Sequence, residues 1–433
     1  MTITTEASVA QTTLSSPSLT LKEIKRSTQQ VETGVLSTFE SMTLTSHFQP
    51  IYSIDHQKII GYEALIRGKD KDGNNISPDV IFDTPCDEKS SVYLDRLCRY
   101  THVANSEKLK DQDKWLFINI SSLACEKGRD YGTFFSDLLS YFNISAERVV
   151  VEIIEDHCTN NAKLVEACNY YKSMGCLIAI DDFGAGHSNF ERIWNLRPDI
   201  VKLDRSMLLR AIKSNHTQRM LTSIVQMLHQ SGCLVVIEGI ETEEQALIAI
   251  DSNADFVQGF YFARPQAASI IENEIKPLFS HLMKQNIAIE QYQLHQDLHW
   301  SSTYRKTFLQ AAMTIKTGES INSVIEPLMN LKKVIRCFLV DNQGQQQGES
   351  YIVDQGKLKA VGQFYQLQLG RDANWYRKHY IRNALRQPNQ MHISPPYQSI
   401  TGDGLCITTS MCFDTDEGQK ILCMDILAEH NPW

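Results

Sequence analysis

From Phe48 to about Pro265 the chain alternates short, near-continuous apolar runs with amphipathic stretches. The runs that read as strands are FQPIYSI (48–54), IIGYEALI (59–66), WLFINI (115–120), VVVEII (149–154), CLIAID (176–181), IVKL (200–203), LVVIEG (234–239) and DFVQG (255–259). Helical spacing fits 91–108, 130–142, 161–174, 205–231 and 241–252. Apolar strands separated by helices predict a mainly parallel sheet covered by helices. Eight such strands over this length fit an α/β, TIM-like (β/α)8 barrel. The first two strands are joined only by DHQK (55–58), too short for a parallel crossover. One of that pair must therefore run antiparallel.

The flanks read differently. Residues 1–40 are rich in Ser and Thr with weak periodicity, which predicts a mostly disordered tail with a short helix near Leu21–Val31. Residues 266–330 read as helices. From Val334 the pattern is strand-like again: VIRCFLVDNQGQ, a turn at Asp341–Gly344, a central helix, then LCITTSMCFDT and KILCMDIL. This predicts a smaller α+β domain. The expected boundaries are a tail over 1–40, a barrel over 41–275, a helical connector over 276–330 and the α+β domain over 331–433.

Composition narrows the class. The 433 residues are 42% hydrophobic and 21% charged, as in ordinary globular proteins. No apolar run approaches the ~20 residues of a membrane span, and no basic region followed by an apolar segment marks a signal peptide. Eleven cysteines occur singly without a CxxC, so neither a disulfide framework nor a zinc site is expected. The expected setting is cytoplasmic, with reduced thiols. A net charge of −9 argues against binding a nucleic-acid polymer through a broad basic face.

The chemistry lies where the apolar runs stop. Glu63, Asn119, Glu152, Asp181 with Asp182, Lys202, Glu238 and Gln258 each fall at or near the end of such a run. In barrels of this kind catalytic groups sit at the C-terminal ends of strands. Several carboxylates converging at one mouth require cations, because a buried unpaired carboxylate costs several kcal/mol or is neutralised. Carboxylates with an amide oxygen are hard ligands suited to Mg²⁺ or Mn²⁺, and a carboxylate-bridged pair of such ions suits phosphate-ester hydrolysis. Lys202 would orient or activate water, and Glu238 would hold a metal or accept a proton. Singly, each residue has a plainer reading: Asp181–Asp182 before Gly184 as a turn with a helix cap, Lys202 as an ion-pair partner, Gln258 before Gly259 as turn chemistry. Their joint occurrence on nearly every strand favours the site. DFG at 182–184 lacks the HRD and GxGxxG that a kinase would carry upstream.

Taken together, FQPIYSIDHQKIIGYEALIRG, FINIS, VVEIIE, IAIDDFGAGHSNFERIWNLRPDIVKLDRSML, VVIEGIETEEQ and ADFVQGFYFARP resemble, over residues 47–265 and in family order, the EAL family of cyclic di-GMP phosphodiesterases. The resemblance implies a barrel with one antiparallel strand, two Mg²⁺ or Mn²⁺ ions and hydrolysis of cyclic di-GMP to linear pGpG. It implies Glu63, Asn119, Glu152 and Asp181 as metal ligands, with Asp182 at the second metal. Lys202 and Glu238 would sit around the attacking water, and Gln258 would complete the pocket. Glu155 would brace the loop after Asp182, and Gln49, Leu65 and Arg67 would meet the nucleotide. Ile154 and Ala185 stand where the family usually or often has Thr. A homodimer through Asn189–Trp194 and Asp204–Ile212 is also implied.

The C-terminal region, with CFLVDNQGQ and RDANWYRKHYIRNALRQPNQMHISPPYQSITGDGLCITTSMCF, resembles a PAS/Cache-type sensor domain. It implies a small-molecule or protein signal that regulates the barrel. The resemblance thus carries two functions: an active, sensor-regulated phosphodiesterase, or a catalytically idle cyclic di-GMP receptor acting through protein partners.

Overall fold

The computed structural model describes residues 19–110, 113–127, 133–153, 161–185, 190–270, 275–352, 373–398 and 405–427. Contacts divide the chain into two units, Met1–Asn286 and Ile287–Trp433. No helix among the described residues is long and apolar enough to cross a membrane.

The strands of the first unit are β1 (Thr28–Val31), β2 (Gly34–Phe39), β3 (Met42–Ser53), β4 (Lys58–Lys69), β5 (Asn75–Ile76), β6 (Trp115–Ile120), β7 (Val149–Ile153), β8 (Leu177–Phe183), β9 (Ile200–Leu203), β10 (Leu234–Ile237) and β11 (Phe256–Val257). Pairing runs β3-β11-β10-β9-β8-β7-β6-β4 and closes through β3–β4, giving an eight-stranded barrel. β3 is antiparallel to both neighbours, and the other barrel pairs are parallel. The short link between β3 and β4 leaves no other choice.

Three expectations need correction. Residues 28–39 are not part of a disordered tail: β1 and β2 form a hairpin, and β2 pairs with β3 outside the barrel ring. Polar residues outnumber apolar ones there, but Val35 and Phe39 are buried. Asn105 pins the strand by accepting from Val35 N (2.7 Å) and donating to Val35 O (2.9 Å). The helix expected near Leu21–Val31 spans only Leu21–Arg26, where the chain turns into β1. The helix expected over 205–231 is two, Arg205–Ala211 and Asn215–Gln230. Ser214 caps the second by accepting from Thr217 N at 3.2 Å, as N-cap serines do.

The second unit contains β12 (Val334–Asp341), β13 (Gln346–Ile352), β14 (His392–Ile393), β15 (Tyr397–Gln398), β16 (Leu405–Thr415) and β17 (Gly418–Leu427). They form an antiparallel sheet in the order β13-β12-β17-β16-β14, with β15 also on β16. The turn at 341–344 is closed by Gly344 N donating to Asp341 O at 3.0 Å. One sheet face packs on Tyr304, Phe308, Ile315, Val324 and Leu328, and the other on helix His379–Arg386. The expected connector is helical over Lys276–Lys316 and Ile321–Met329. Its Phe279 and Leu282 belong to the barrel's core, and Tyr304 and Phe308 to the second unit's.

Candidate active site

The barrel interior begins with an apolar plug of Ile51, Phe117, Val150, Ala179, Ile200, Val236 and Phe256, one from each of seven strands. Side chains two apart on a strand share a face. Two residues beyond these plug residues lie Asn119, Glu152, Asp181, Lys202, Glu238 and Gln258. On β3, which runs the other way, the matching residue is two before, Gln49. β4 completes the ring with Gly61 below Glu63. A Cβ on Gly61 would lie 2.7 Å from the Phe117 ring, so the missing side chain makes room for that phenyl group. A polar layer therefore rests on an apolar one, and the alternation of strands produces it.

Lys202 is the hub of the polar layer. Its Nζ lies 2.6 Å from Glu238 Oε1, 2.7 Å from Glu152 Oε1, 3.1 Å from Asp181 Oδ1 and 3.5 Å from Glu63 Oε2. Glu63 also accepts from Gln258 Nε2 at 2.7 Å and from Asn119 Nδ2 at 3.2 Å. Burial opposes the charge on Lys202, but the surrounding Asp181, Glu152, Glu238 and Glu63 outweigh it and hold the ammonium well above its usual range. Burial pushes Glu152 and Glu238 well up, against the pull of Lys202. Asp182 rises to about 6, through burial and the neighbouring Asp181.

One ammonium cannot satisfy four carboxylates. Both Glu152 oxygens and Glu238 Oε1 are buried with no hydrogen-bond partner among the described residues. Lys202 meets Glu238 and Glu152 at 2.6 and 2.7 Å as an ion-pair partner, and it is shared among all four carboxylates. Buried polar atoms left in this state ask for a cation. The carboxylate oxygens fall into two overlapping groups, Glu63–Glu152–Asp181 and Asp181–Asp182–Glu238, each within 4.8 Å. This donor set fits hard divalent ions, with Asp181 common to both groups.

Asp181 and Asp182 reach one site by a route the sequence did not suggest. The strand does not end between them; β8 continues to Phe183. The register to β9 shifts between Ile180 and Phe183, and Asp182 itself takes φ +54°. Asp tolerates this left-handed geometry better than most residues. The bulge turns both carboxylates to one side. Gly184, at φ +99°, follows, with Met207 Sδ 2.2 Å from where its Cβ would be.

The expected nucleotide-contacting residues separate into two spaces. Glu63, Leu65 and Arg67 share one face of β4. Leu65, Arg67 and Asn119 line a cavity of about 730 Å³ with Pro78, Phe82 and Ser121. Gln49, Glu63, Glu238 and Gln258 line a smaller one of about 180 Å³, rimmed by Arg205 and Glu241. The Arg205–Glu241 pair, at 2.6 Å, is a feature the sequence reading missed. It also missed Asp95, a buried residue that accepts from Ser121 N at 3.0 Å and pairs with Arg99. Asp95 thereby holds the turn that follows Asn119; the LDRLCR spacing of Asp and Arg four apart was its only signal. Glu155, Ile154 and Asn189 lie outside the described residues.

Residues 34–265 match the family model for the EAL domain. Among curated proteins, the chain is 25% identical over 356 residues to the EAL-domain containing protein YkuI of Bacillus subtilis (strain 168), covering 79% of this chain and 84% of that one. It is 27% identical over 220 residues to cyclic di-GMP phosphodiesterase PdeF of Escherichia coli (strain K12), covering 50% of this chain but only 29% of that protein. The crystal structure of Bacillus subtilis YkuI in complex with substrate c-di-GMP and calcium superposes with a TM-score of 0.73 at 23% identity, over 89% of this chain and 96% of that one. That likeness concerns the fold. Closed barrel, polar layer and family model agree: the chain belongs to the EAL domain family.

Proposed function

We propose that this chain is a phosphodiesterase that hydrolyses cyclic di-GMP to linear pGpG. One observation carries the reading: a closed layer of Glu63, Glu152, Asp181 and Glu238 around Lys202, with buried carboxylate oxygens that lack a hydrogen bond among the described residues. In this reading Glu63, Asn119, Glu152 and Asp181 hold one Mg²⁺ or Mn²⁺, and Asp182 holds the second. Bound there, the ions supply Lewis acidity for water and neutralise the phosphate.

The chain's own residues do the rest. Lys202, a permanent ammonium, donates to the attacking water and fixes its direction. Glu238 stands beside it to take the proton. Arg67 pairs with a phosphate oxygen through its guanidinium fork, Leu65 packs on the nucleotide, and Gln49 and Gln258 supply amide contacts. Gln258 and Asn119 keep Glu63 in one orientation through their hydrogen bonds. Glu155 braces the loop after Asp182. The PdeF name and the ligand in the YkuI crystal support the choice of substrate. Turnover of cyclic di-GMP with Mg²⁺ or Mn²⁺, stopped by EDTA, tests this reading.

The proposal extends to assembly and control. A homodimer forms through Asn189–Trp194 and Asp204–Ile212; exposed Phe190, Trp194 and Leu209 support this. The second unit acts as a PAS/Cache-like sensor of the barrel, in a cytoplasmic protein. Sedimentation of the full chain, and assay of a chain ending before the second unit, test these points.

A further inference from the structure

The face of the second unit's sheet that carries helix His379–Arg386 is apolar around Phe338, Val340, Cys412 and Cys423, yet a polar row crosses it. Arg336, Asp425 and Thr408 are register partners on β12, β17 and β16, with exposures of 2%, 0% and 0%. Asp425 Oδ2 lies 2.7 Å from both Nε and Nη2 of Arg336. Its Oδ1 accepts from the Thr408 hydroxyl at 2.7 Å, and Thr408 Oγ1 in turn meets the Tyr397 hydroxyl at 2.7 Å.

A pair that served only to fix strand register would close on itself. This one is incomplete: Arg336 Nη1 is buried and has no hydrogen-bond partner among the described residues. A buried charged donor left unpaired is expensive, so that edge calls for an acceptor. The surroundings define which. A guanidinium edge matches two coplanar oxygens. Asp425 already offsets one charge and would repel a doubly charged phosphate. The Phe338 and Trp375 rings lie 4.1 and 4.8 Å from Arg336 Cζ, and Tyr380 stacks on Tyr397 with ring centres 6.0 Å apart. These rings offer walls for a small apolar body. Lys378 Nζ, 5.1 Å from the Tyr397 ring centre, adds a cation on that side.

We propose that the unsatisfied Nη1 edge of Arg336, walled by Trp375, Tyr380 and Tyr397, binds a small monocarboxylate. The proposal is independent of whether the barrel hydrolyses cyclic di-GMP. It is tested by calorimetric titration of the full chain with acetate, pyruvate and benzoate in turn, and with inorganic phosphate. At least one carboxylate should bind saturably and at least tenfold more weakly to Arg336→Lys, which keeps a cation beside Asp425 but loses the fork; phosphate should give no binding. If Arg336→Lys does not fold, the double replacement Arg336→Met with Asp425→Leu removes both charges together and should abolish binding. No binding of any of the three carboxylates, undiminished binding in the folded variant, or phosphate binding as tight as the carboxylates' would overturn the proposal.

Discussion

The ammonium of Lys202 lies 2.7 Å from Oε1 of Glu152, with both side chains wholly enclosed by the barrel. Neither would be stable there alone, since removing one partner of a buried pair costs roughly 3–5 kcal/mol. Lys202→Met is therefore expected to lower the Tm in EDTA and to recover part of the loss when Mn²⁺ is added. Its kcat should fall by about 10²–10³-fold, the range for removing one positioned hydrogen-bond donor. Thermal melts with and without Mn²⁺, alongside initial rates, check this; a near-normal rate would remove Lys202 from the chemistry.

Glu63 connects three strands, being held by Asn119 and Gln258 while facing Lys202. Glu63→Gln preserves size but loses the charge that a cation needs. Mn²⁺ affinity should drop by roughly 10–100-fold or more, judged by what even indirect ligand supports contribute, and turnover should be lost. Mn²⁺ titration calorimetry of the variant reads this without substrate. Unchanged affinity would mean that the cation sits elsewhere.

Gly61 tests the two-layer arrangement from below. An alanine there would press on the Phe117 ring at 2.7 Å and on Trp115 O at 2.9 Å. Overpacking of this kind costs about 1–3 kcal/mol. Gly61→Ala should lower the denaturation midpoint by a corresponding amount and reduce kcat, because Glu63 is two residues away on the same face. A variant as stable and as active as the parent would show that the plug does not set the height of the site.

His102 gives a pH dependence away from the carboxylates. It is buried with Nδ1 2.8 Å from Ser46 Oγ. Burial, then the nearby Arg67, lowers its pKa from 6.5 to about 3. The unfolded chain takes up a proton near 6.5, whereas the folded chain resists until about 3. Stability is therefore full above that window and is lost as the pH falls through it, by up to about 5 kcal/mol. Urea midpoints in steps below pH 6.5 should show the loss, and His102→Gln should flatten that part of the curve. An identical slope in the variant would exclude His102 as its source.

Much of this site was legible because strand alternation is strict. Once WLFINI and IVKL are read as barrel strands, Asn119 and Lys202 must face the same interior as Phe117 and Ile200. Link length made one strand of the first pair antiparallel, since DHQK cannot carry a crossover. What escaped depends on tertiary context. The hairpin at 28–39 hides in a Ser/Thr-rich stretch and is fixed by Asn105, some seventy residues away. The bulge at Asp182 replaces a strand end, and neither a bulge nor a left-handed φ is encoded by hydrophobic period. Asp95 reads as an ordinary helix charge until Ser121 is placed beside it. Arg336 and Asp425 likewise become partners only when β12 and β17 pair.

The most direct test of the account is the fate of cyclic di-GMP mixed with the purified full chain and Mg²⁺ or Mn²⁺, resolved chromatographically over time. The account predicts cation-dependent conversion to linear pGpG, stopped by EDTA and absent in Glu63→Ala. No turnover with either cation, with tight binding of cyclic di-GMP retained, would contradict it and make the chain a receptor.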